Sequence, residues 1–541
     1  MLVGTRYHQA PPTAHYDAIV IGSGLGGLTT AALLAKAGRR VLVLERHYTA
    51  GGFTHSYRRR GYEWDVGVHY VGDVHNPGSP MRRIFDSITD GQLQWAKMDD
   101  PYDRVIIGDD TYDFVSGAAN FREELLRSFP GAAHQIDEYL RHIRAATRSI
   151  PAHFGPRYLP GPLQPLAGAA ASRVSGDYFG RTTESVLSQF ITDKQLAGVL
   201  TAQWGDYGLP PGQSSFGMHA VVAQHYLAGG NYPVGGAWRI AETILPVIEA
   251  AGGAVLVDAE VSSIIIHSGR AVGVRMASGD EILADKVISA TGVVNTVERL
   301  LPPEASPLPD LQQKVRSVRP AVSHIGLYLG LKGTTDELGL RQTNLWIYRD
   351  YDHDRSLARY VREPNTDFPL TYISFPSAKD PSWEQRYPGK STIDVISLAP
   401  YEWFSRWEGT PWRKRGTDYE AFKEELTQAL LEEVYRRVPQ VRGRVAYHEL
   451  STPLSTAEFS NYSRGQVYGL EHSPHRFRQT WLKARTPVPG LYLTGQDILF
   501  CGVGSALMSG VVTAANVLGP LGSRALPGML GLSARSVIPI G

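Results

Sequence analysis

Cysteine is almost absent from this chain of 541 residues. Cys501 stands alone, which excludes an internal disulfide and a metal site built from thiolates. An excess of one charge is also missing. Lys and Arg number 54 against 53 Asp and Glu, a net of +1, so no global basic field points to nucleic acid. No repeat recurs at periods of about 20 to 50 residues, which argues against a solenoid or propeller. The N-terminus carries no apolar run followed by small residues. It therefore reads as free of a signal peptide, and a cytoplasmic protein is expected. Uninterrupted membrane-length runs are lacking too. Residues 18–35 and 498–523 are uncharged and long enough to span a bilayer, but glycines break both of them. A strand, a glycine turn and a buried helix fit each better, with peripheral membrane association left open.

What is present is ordinary globular composition, 43% hydrophobic and 20% charged. The length suits three or four domains of about 150 residues, or one large interleaved two-domain enzyme. Strands are expected at 17–21, 40–44, 254–267, 271–277, 281–289 and 491–494, with Ser278-Gly279-Asp280 as a hairpin turn. Helices are expected at 27–37, 121–147 with a break at Pro130-Gly131, 183–200, 236–251, 418–437 and 505–518. Residues 157–168 read as a loop, and 519–541 as a loose tail or a docking arm.

The opening strand runs into Gly22-Ser23-Gly24-Leu25-Gly26-Gly27. In this Gly-x-Gly-x-x-Gly pattern Gly22 makes a tight turn and Gly24 admits a pyrophosphate against the backbone. Gly27 brings helix and strand close together. The helix start then presents free N–H groups and a positive dipole end to the phosphates. Glu45, at the end of the next strand, lies near the roughly 20-residue spacing expected for the acid that binds ribose hydroxyls. Nicotinamide and flavin dinucleotides share this motif, and three further segments favour non-covalent FAD. Gly51 and Gly52 follow Glu45 closely. Ile288 to Gly292 closes a later strand and brings Thr291 and Gly292 back to the site. Leu491 to Asp497 forms a last strand and turn, with Gly495 for close approach and Asp497 to accept from ribityl or ribose hydroxyls. The helix after Gly504 can stabilise negative charge on a reduced ring. Arg46 and Val261 complete the set of expected cofactor contacts.

On these residues the chain resembles the phytoene desaturase, carotenoid isomerase and retinol saturase group of flavoproteins. The likeness covers most of the chain. It runs through 17–72 with Gly61-Tyr62-Glu63-Trp64-Asp65-Val66-Gly67-Val68-His69-Tyr70, through Ser128-Phe129-Pro130, and through His225 to Gly236. It continues through Ser451-Thr452-Pro453 with Tyr468-Gly469 and through Gly495 to Gly510. The His69-Tyr70 block and Gly495-Gln496-Asp497 look most like retinol saturase. One departure stands out, because Phe53 follows Gly51-Gly52 where the desaturases often carry Arg. Arg58 or Arg59 is a candidate replacement.

The resemblance implies an α/β fold. A glutathione-reductase-like, Rossmann-type FAD domain would hold an inserted α+β substrate domain in an amine-oxidase-like two-domain layout. Residues 1–110, 234–300 and 485–520 are assigned to the FAD domain and 111–233 and 301–484 to the substrate domain, with 521–541 as a tail. The implied activity is FAD-dependent chemistry on C=C bonds of a long apolar polyene or isoprenoid lipid, by hydride exchange at flavin N5. Saturation and desaturation are opposite directions of one path. Redox-neutral isomerisation and action on unsaturated fatty acids are alternatives, and an amine oxidase and a prenyl-lipid carrier are more distant ones. The electron partner is left unassigned.

The flavin carries the hydride chemistry in this reading, and the protein supplies or accepts a proton in a mostly apolar pocket. Candidates are His69, close after the cofactor-contacting glycines, its neighbour Tyr70, Tyr232 before Gly235-Gly236, and His225. Each has a structural alternative as a buried, hydrogen-bonded side chain. His219 and His225 lie six apart with no carboxylate to join them, so no metal site is expected. Cys501 adjoins the Gly502 turn, and no covalent flavin link is expected there. Tyr401 to Trp407 and Trp412 to Arg415 mix aromatics with cations, as a lipid interface favours. Arg stems packed over Trp faces inside the substrate domain are the alternative.

Overall fold

The computed structural model describes residues 1–532 except 11, 13, 14, 160–162, 164, 165, 169, 171–175, 306 and 307. Its first sheet is centred on Tyr16–Ile21, an apolar and β-branched strand whose Ile19 and Val20 are wholly buried. Val41–Leu44 and Glu281–Ser289 flank it in parallel. Ala254–Val257 lies beyond the former, and Leu491–Leu493 pairs in parallel with the end of the latter. Continuous apolar runs suit such strands because helices cover both faces. Glu281–Ser289 forks. Its first half pairs antiparallel with Arg270–Met276, which pairs with Val261–His267.

The single strand expected over 254–267 is two strands. Asp258 adopts φ +52° and turns the chain, and the two halves join the sheet at opposite ends. The helix expected over 183–200 is likewise two, Thr183–Leu187 and Lys194–Leu200. Asp193 starts the second by accepting from the amides of Gln195 at 2.8 Å and Leu196 at 3.2 Å. Ala118–Ser128 and Ala133–Arg148 flank the break expected at Pro130-Gly131. Thr417–Arg437 forms the helix expected over 418–437. Residues 157–168 begin in the short helix Gly155–Tyr158, and much of the remainder lies outside the described residues.

The second sheet has seven strands, in the order Val445–Ser451, His324–Lys332, Lys390–Leu398, Leu370–Ser374, Asn344–Tyr348, Asp103–Ile107, Asp110–Phe114. Only Asn344–Tyr348 with Asp103–Ile107 is parallel. The sheet therefore reaches back to residue 103, across the boundary expected at 110. A small sheet of Val71–Gly72, Gly230–Pro233 and Trp95–Lys97 adds to these two.

Two helices cross on the first sheet. A Cβ at Gly510 of the Val503–Gly522 helix would stand 2.5 Å from Thr29 Cβ of the Leu25–Lys36 helix, and one at Gly26 would stand 2.9 Å from Gly495 Cα. Val503–Met529 is long and apolar enough to cross a membrane, yet more than half of its most apolar window is buried within the protein. Part of the expected tail docks. Leu526 and Leu530 enter the core, and Ser87 Oγ donates to Met529 O at 3.0 Å. Residues 533–541 lie outside the described residues.

Gly510→Val is expected to force these helices apart at a cost of about 1–3 kcal/mol. The check is the midpoint of thermal unfolding, which should fall. An unchanged midpoint would show that the crossing tolerates extra bulk.

Candidate functional site

Gly22 leaves the first strand at φ +95°, and its amide donates to Leu44 O at 2.8 Å. A Cβ at Gly27 would stand 2.4 Å from Gly22 O, so only glycine lets the helix turn in this tightly. Gly24 differs, because nothing lies within 4 Å of a Cβ built there. It faces a cavity of about 610 Å³ that the first turn of the Leu25–Lys36 helix also lines. Gly52 packs beneath it, where a Cβ would stand 2.9 Å from Gly24 Cα.

Glu45 is fixed at the cavity edge. One carboxylate oxygen accepts from Ser23 N at 2.8 Å and Ser23 Oγ at 2.7 Å, and the other accepts from His47 N at 2.8 Å. Ser23 Oγ accepts in turn from Gly51 N at 3.1 Å, so the two glycine turns share one hydrogen-bond network. Arg46 lines the cavity while its guanidinium donates to Glu458 O at 2.6 Å. Val261 also lines the cavity.

Thr291, Gly292, Gly495 and Asp497 also line the cavity. Asp497 accepts from Val293 N at 2.8 Å and Leu470 N at 3.0 Å, which ties three distant segments together. Gly502, Val503 and Ala506 bring the start of the last long helix to the cavity. Gly504 faces the other way, where a Cβ would meet Met81 Sδ at 3.0 Å and His225 Cε1 at 3.7 Å. Phe53 lines the cavity, stacked with Tyr462 at 6.4 Å between centroids. Arg59 reaches the cavity, whereas Arg58 pairs with Glu63 at 2.8 Å.

The four side chains expected to do chemistry separate. Tyr232 is buried, and its hydroxyl donates to Asp65, which also accepts from Ser56 Oγ at 2.5 Å and Ala237 N at 3.1 Å. Burial lifts Asp65 to about 7. The Tyr70 hydroxyl donates to Asp103 at 2.9 Å, and its ring stacks on Tyr226 at 4.1 Å. His225 Nε2 accepts from Gly72 N at 2.8 Å, and burial holds the imidazole down at about 4, hence neutral at pH 7. None of these three lines the large cavity, and neither does His69. His219 is similarly held between the hydroxyls of Tyr139 and Tyr207. Cys501 Sγ donates to Asp206 O at 3.4 Å, and burial pushes its thiol up.

His69 behaves differently. Its ring remains 16% exposed, and Nδ1 stands 3.3 Å from Asp394 Oδ2. Its carbonyl accepts from Lys379 Nζ at 3.0 Å. His324, which sequence reasoning missed together with Tyr328, lines the cavity beside it. The signal was the alternation of His324 to Lys332, a strand whose even-numbered positions share one face. Tyr401, Trp403, Phe404 and Trp407 are buried, with Arg406 over the Trp407 ring at 3.9 Å, as the packed alternative requires.

A glycine-lined cavity at a largely parallel sheet, with His324 and Tyr328 of a largely antiparallel sheet in its lining, is the layout of a two-domain flavin-dependent oxidoreductase. The family described as flavin containing amine oxidoreductase matches residues 25–518. All-trans-retinol 13,14-reductase of Danio rerio is 38% identical over 93% of this chain and 86% of its own length. Chloroplastic prolycopene isomerase of Arabidopsis thaliana is 27% identical over 96% of this chain and 86% of its own. Among solved structures, cyclohexylamine oxidase from Brevibacterium oxydans IH-35A superposes with a TM-score of 0.59 at 16% identity, covering 96% of this chain and 99% of that one. That last likeness shows the fold. The chain belongs to the flavin containing amine oxidoreductase family.

Glu45→Ala is expected to weaken flavin retention roughly 10- to 100-fold, the equivalent of about 1.5–3 kcal/mol for hydrogen bonds to a charged group. Flavin absorbance per protein after gel filtration is the readout. Full retention would remove Glu45 from the cofactor site.

Proposed function

We propose that the protein is an FAD-dependent oxidoreductase that reduces a C=C bond of a long apolar polyene of the retinoid or carotenoid class. The near-full-length likeness to a retinol reductase carries this reading. The cavity suits the cofactor. Gly22, Gly24 and Gly27 would hold the pyrophosphate at the helix start, with Gly51 and Gly52 beneath. Glu45 would take ribose hydroxyls, and Arg46 and Val261 would border the adenosine end. Thr291, Gly292, Gly495 and Asp497 would hold the ribityl and ring end. Gly504 would set the start of the last helix, whose positive end favours a reduced ring.

When bound, the flavin supplies hydride exchange with a double-bond carbon. The chain's own part is to bind the polyene against apolar and aromatic walls, exclude water and deliver a proton. His69 is the side chain proposed to deliver it. Tyr232, Tyr70 and His225 are proposed to hold the loops that carry the site. A substrate of this kind partitions into lipid, so peripheral membrane contact belongs to the proposal. The isomerase relative favours a second reading, in which reduced flavin changes the geometry of a polyene without net electron transfer.

The test mixes anaerobic, photoreduced protein with all-trans-retinol and with carotenoids. Flavin reoxidation matched by loss of one double bond is the expected outcome. Flavin that stays reduced while double-bond geometry changes would establish the isomerase. Turnover of simple amines but not of polyenes would overturn both readings.

A further inference from the structure

One face of the second sheet runs from the cavity into the interior. Tyr328 is opposite Asp394, Asp394 is opposite Ser374, and Tyr372 lies between Ile396 and Trp346. His324, two pairs along from Tyr328, lines the cavity with it. Buried polar groups ordinarily find partners. On this face, among the described residues, both oxygens of Asp394, the Tyr372 hydroxyl, the Trp346 indole nitrogen and His324 Nδ1 have no hydrogen-bond partner. Asp103, on the same face, is different, because Tyr70, Gln203 and Asn344 all donate to it.

Asp394 is wholly buried on a central strand, so it cannot swing out to water. The group nearest its charge is His69, whose Nδ1 stands 3.3 Å from Oδ2 without the alignment of a hydrogen bond. Catalytic hydrogen bonds are often loose like this before substrate binds, and tighten afterwards. His69 is held from behind. Lys379 Nζ donates to the His69 carbonyl and, at 2.6 Å, to Ser374 Oγ, which links the His69 loop to the strand opposite Asp394. The His69 ring lies 5.4 Å from Tyr372 and keeps partial exposure where Asp394 has none. The imidazole is therefore the more accessible half of the pair.

We propose that His69 and Asp394 form a proton-delivering pair, with His69 the catalytic acid and Asp394 the positioning residue that orients it through Nδ1–H. This deepens the polyene-reductase reading and rests on it. A bound reduced flavin would supply the hydride to one double-bond carbon. The π pair moves to the other carbon and forms a C–H bond with the proton on His69 Nε2. The N–H electrons stay on nitrogen, which is reprotonated from solvent. Oriented by its partner, the ring presents Nε2 rather than Nδ1 to the substrate.

The test has a spectroscopic arm and a chemical arm. In flavin-loaded protein with labelled histidine, the Nδ1–H resonance of His69 is expected downfield and protected from solvent exchange. Asp394→Asn should lose both properties while retaining flavin. In D2O, photoreduced wild-type protein should place one solvent deuterium in the product. His69→Gln, at a part-exposed position, should slow that labelling about 100-fold or more, in the range of general acid catalysis. Asp394→Asn should slow it less, and Asp394→Glu should recover part of the loss. An unchanged resonance in Asp394→Asn, or full-rate labelling by His69→Gln, would overturn the pair. If Asp394→Asn fails to fold, the His69→Gln labelling rate decides. Wild-type protein that leaves every polyene unchanged would sink the functional reading instead, and the resonance would still report on the contact.

Discussion

Close approach of backbone to backbone is the constraint on which this structure depends. The Leu25–Lys36 helix must turn in over Gly22 and lie beneath Gly495 while pressing against Gly510. A side chain at Gly26, Gly27 or Gly510 would collide, and at Gly24 the absent side chain leaves open space that faces the cavity. The glycines thus do three separate things. Gly26, Gly27 and Gly510 pack, Gly22 turns the chain at φ +95°, and Gly24 makes room. The packed glycines aim a helix start at the space left by the open one, an arrangement that favours a bound phosphate.

The second sheet completes the site with a different economy of polar groups. Asp103 has three donors, and Lys379 has acceptors in the His69 carbonyl, Asn344 and Ser374. Burial still lowers Lys379 to about 7. Asp394 and Tyr372 are as deeply placed but lack such partners. Unpartnered buried polar atoms are costly, so their concentration on one aromatic face that continues from the cavity marks a surface shaped for something other than stability.

The glycine turns, Glu45 and the parallel core were legible in the sequence because their signals are local. A strand, a turn and a helix occupy about 30 consecutive residues. The division of 254–267 at Asp258 was not legible, because a single left-handed residue leaves the apolar alternation intact on either side. Tyr232, Tyr70 and His225 looked chemical from their neighbours, yet their partners, Asp65, Asp103 and Gly72 N, settle their surroundings. Asp65 is 167 residues from Tyr232 and Gly72 is 153 from His225. Asp394 was invisible for the same reason. Nothing in Lys390–Leu398 announces that its one carboxylate meets a histidine more than 300 residues earlier in the chain.

The central claim is that the glycine-built cavity holds a flavin next to a polyene-binding face. It is tested most directly by titrating the purified, oxidised protein with all-trans-retinol and recording the flavin difference spectrum. The account predicts a yellow protein with a saturable perturbation of the flavin bands, weakened when Tyr372 or Trp346 is replaced by alanine. A colourless protein, or flavin bands that ignore the polyene, would contradict it.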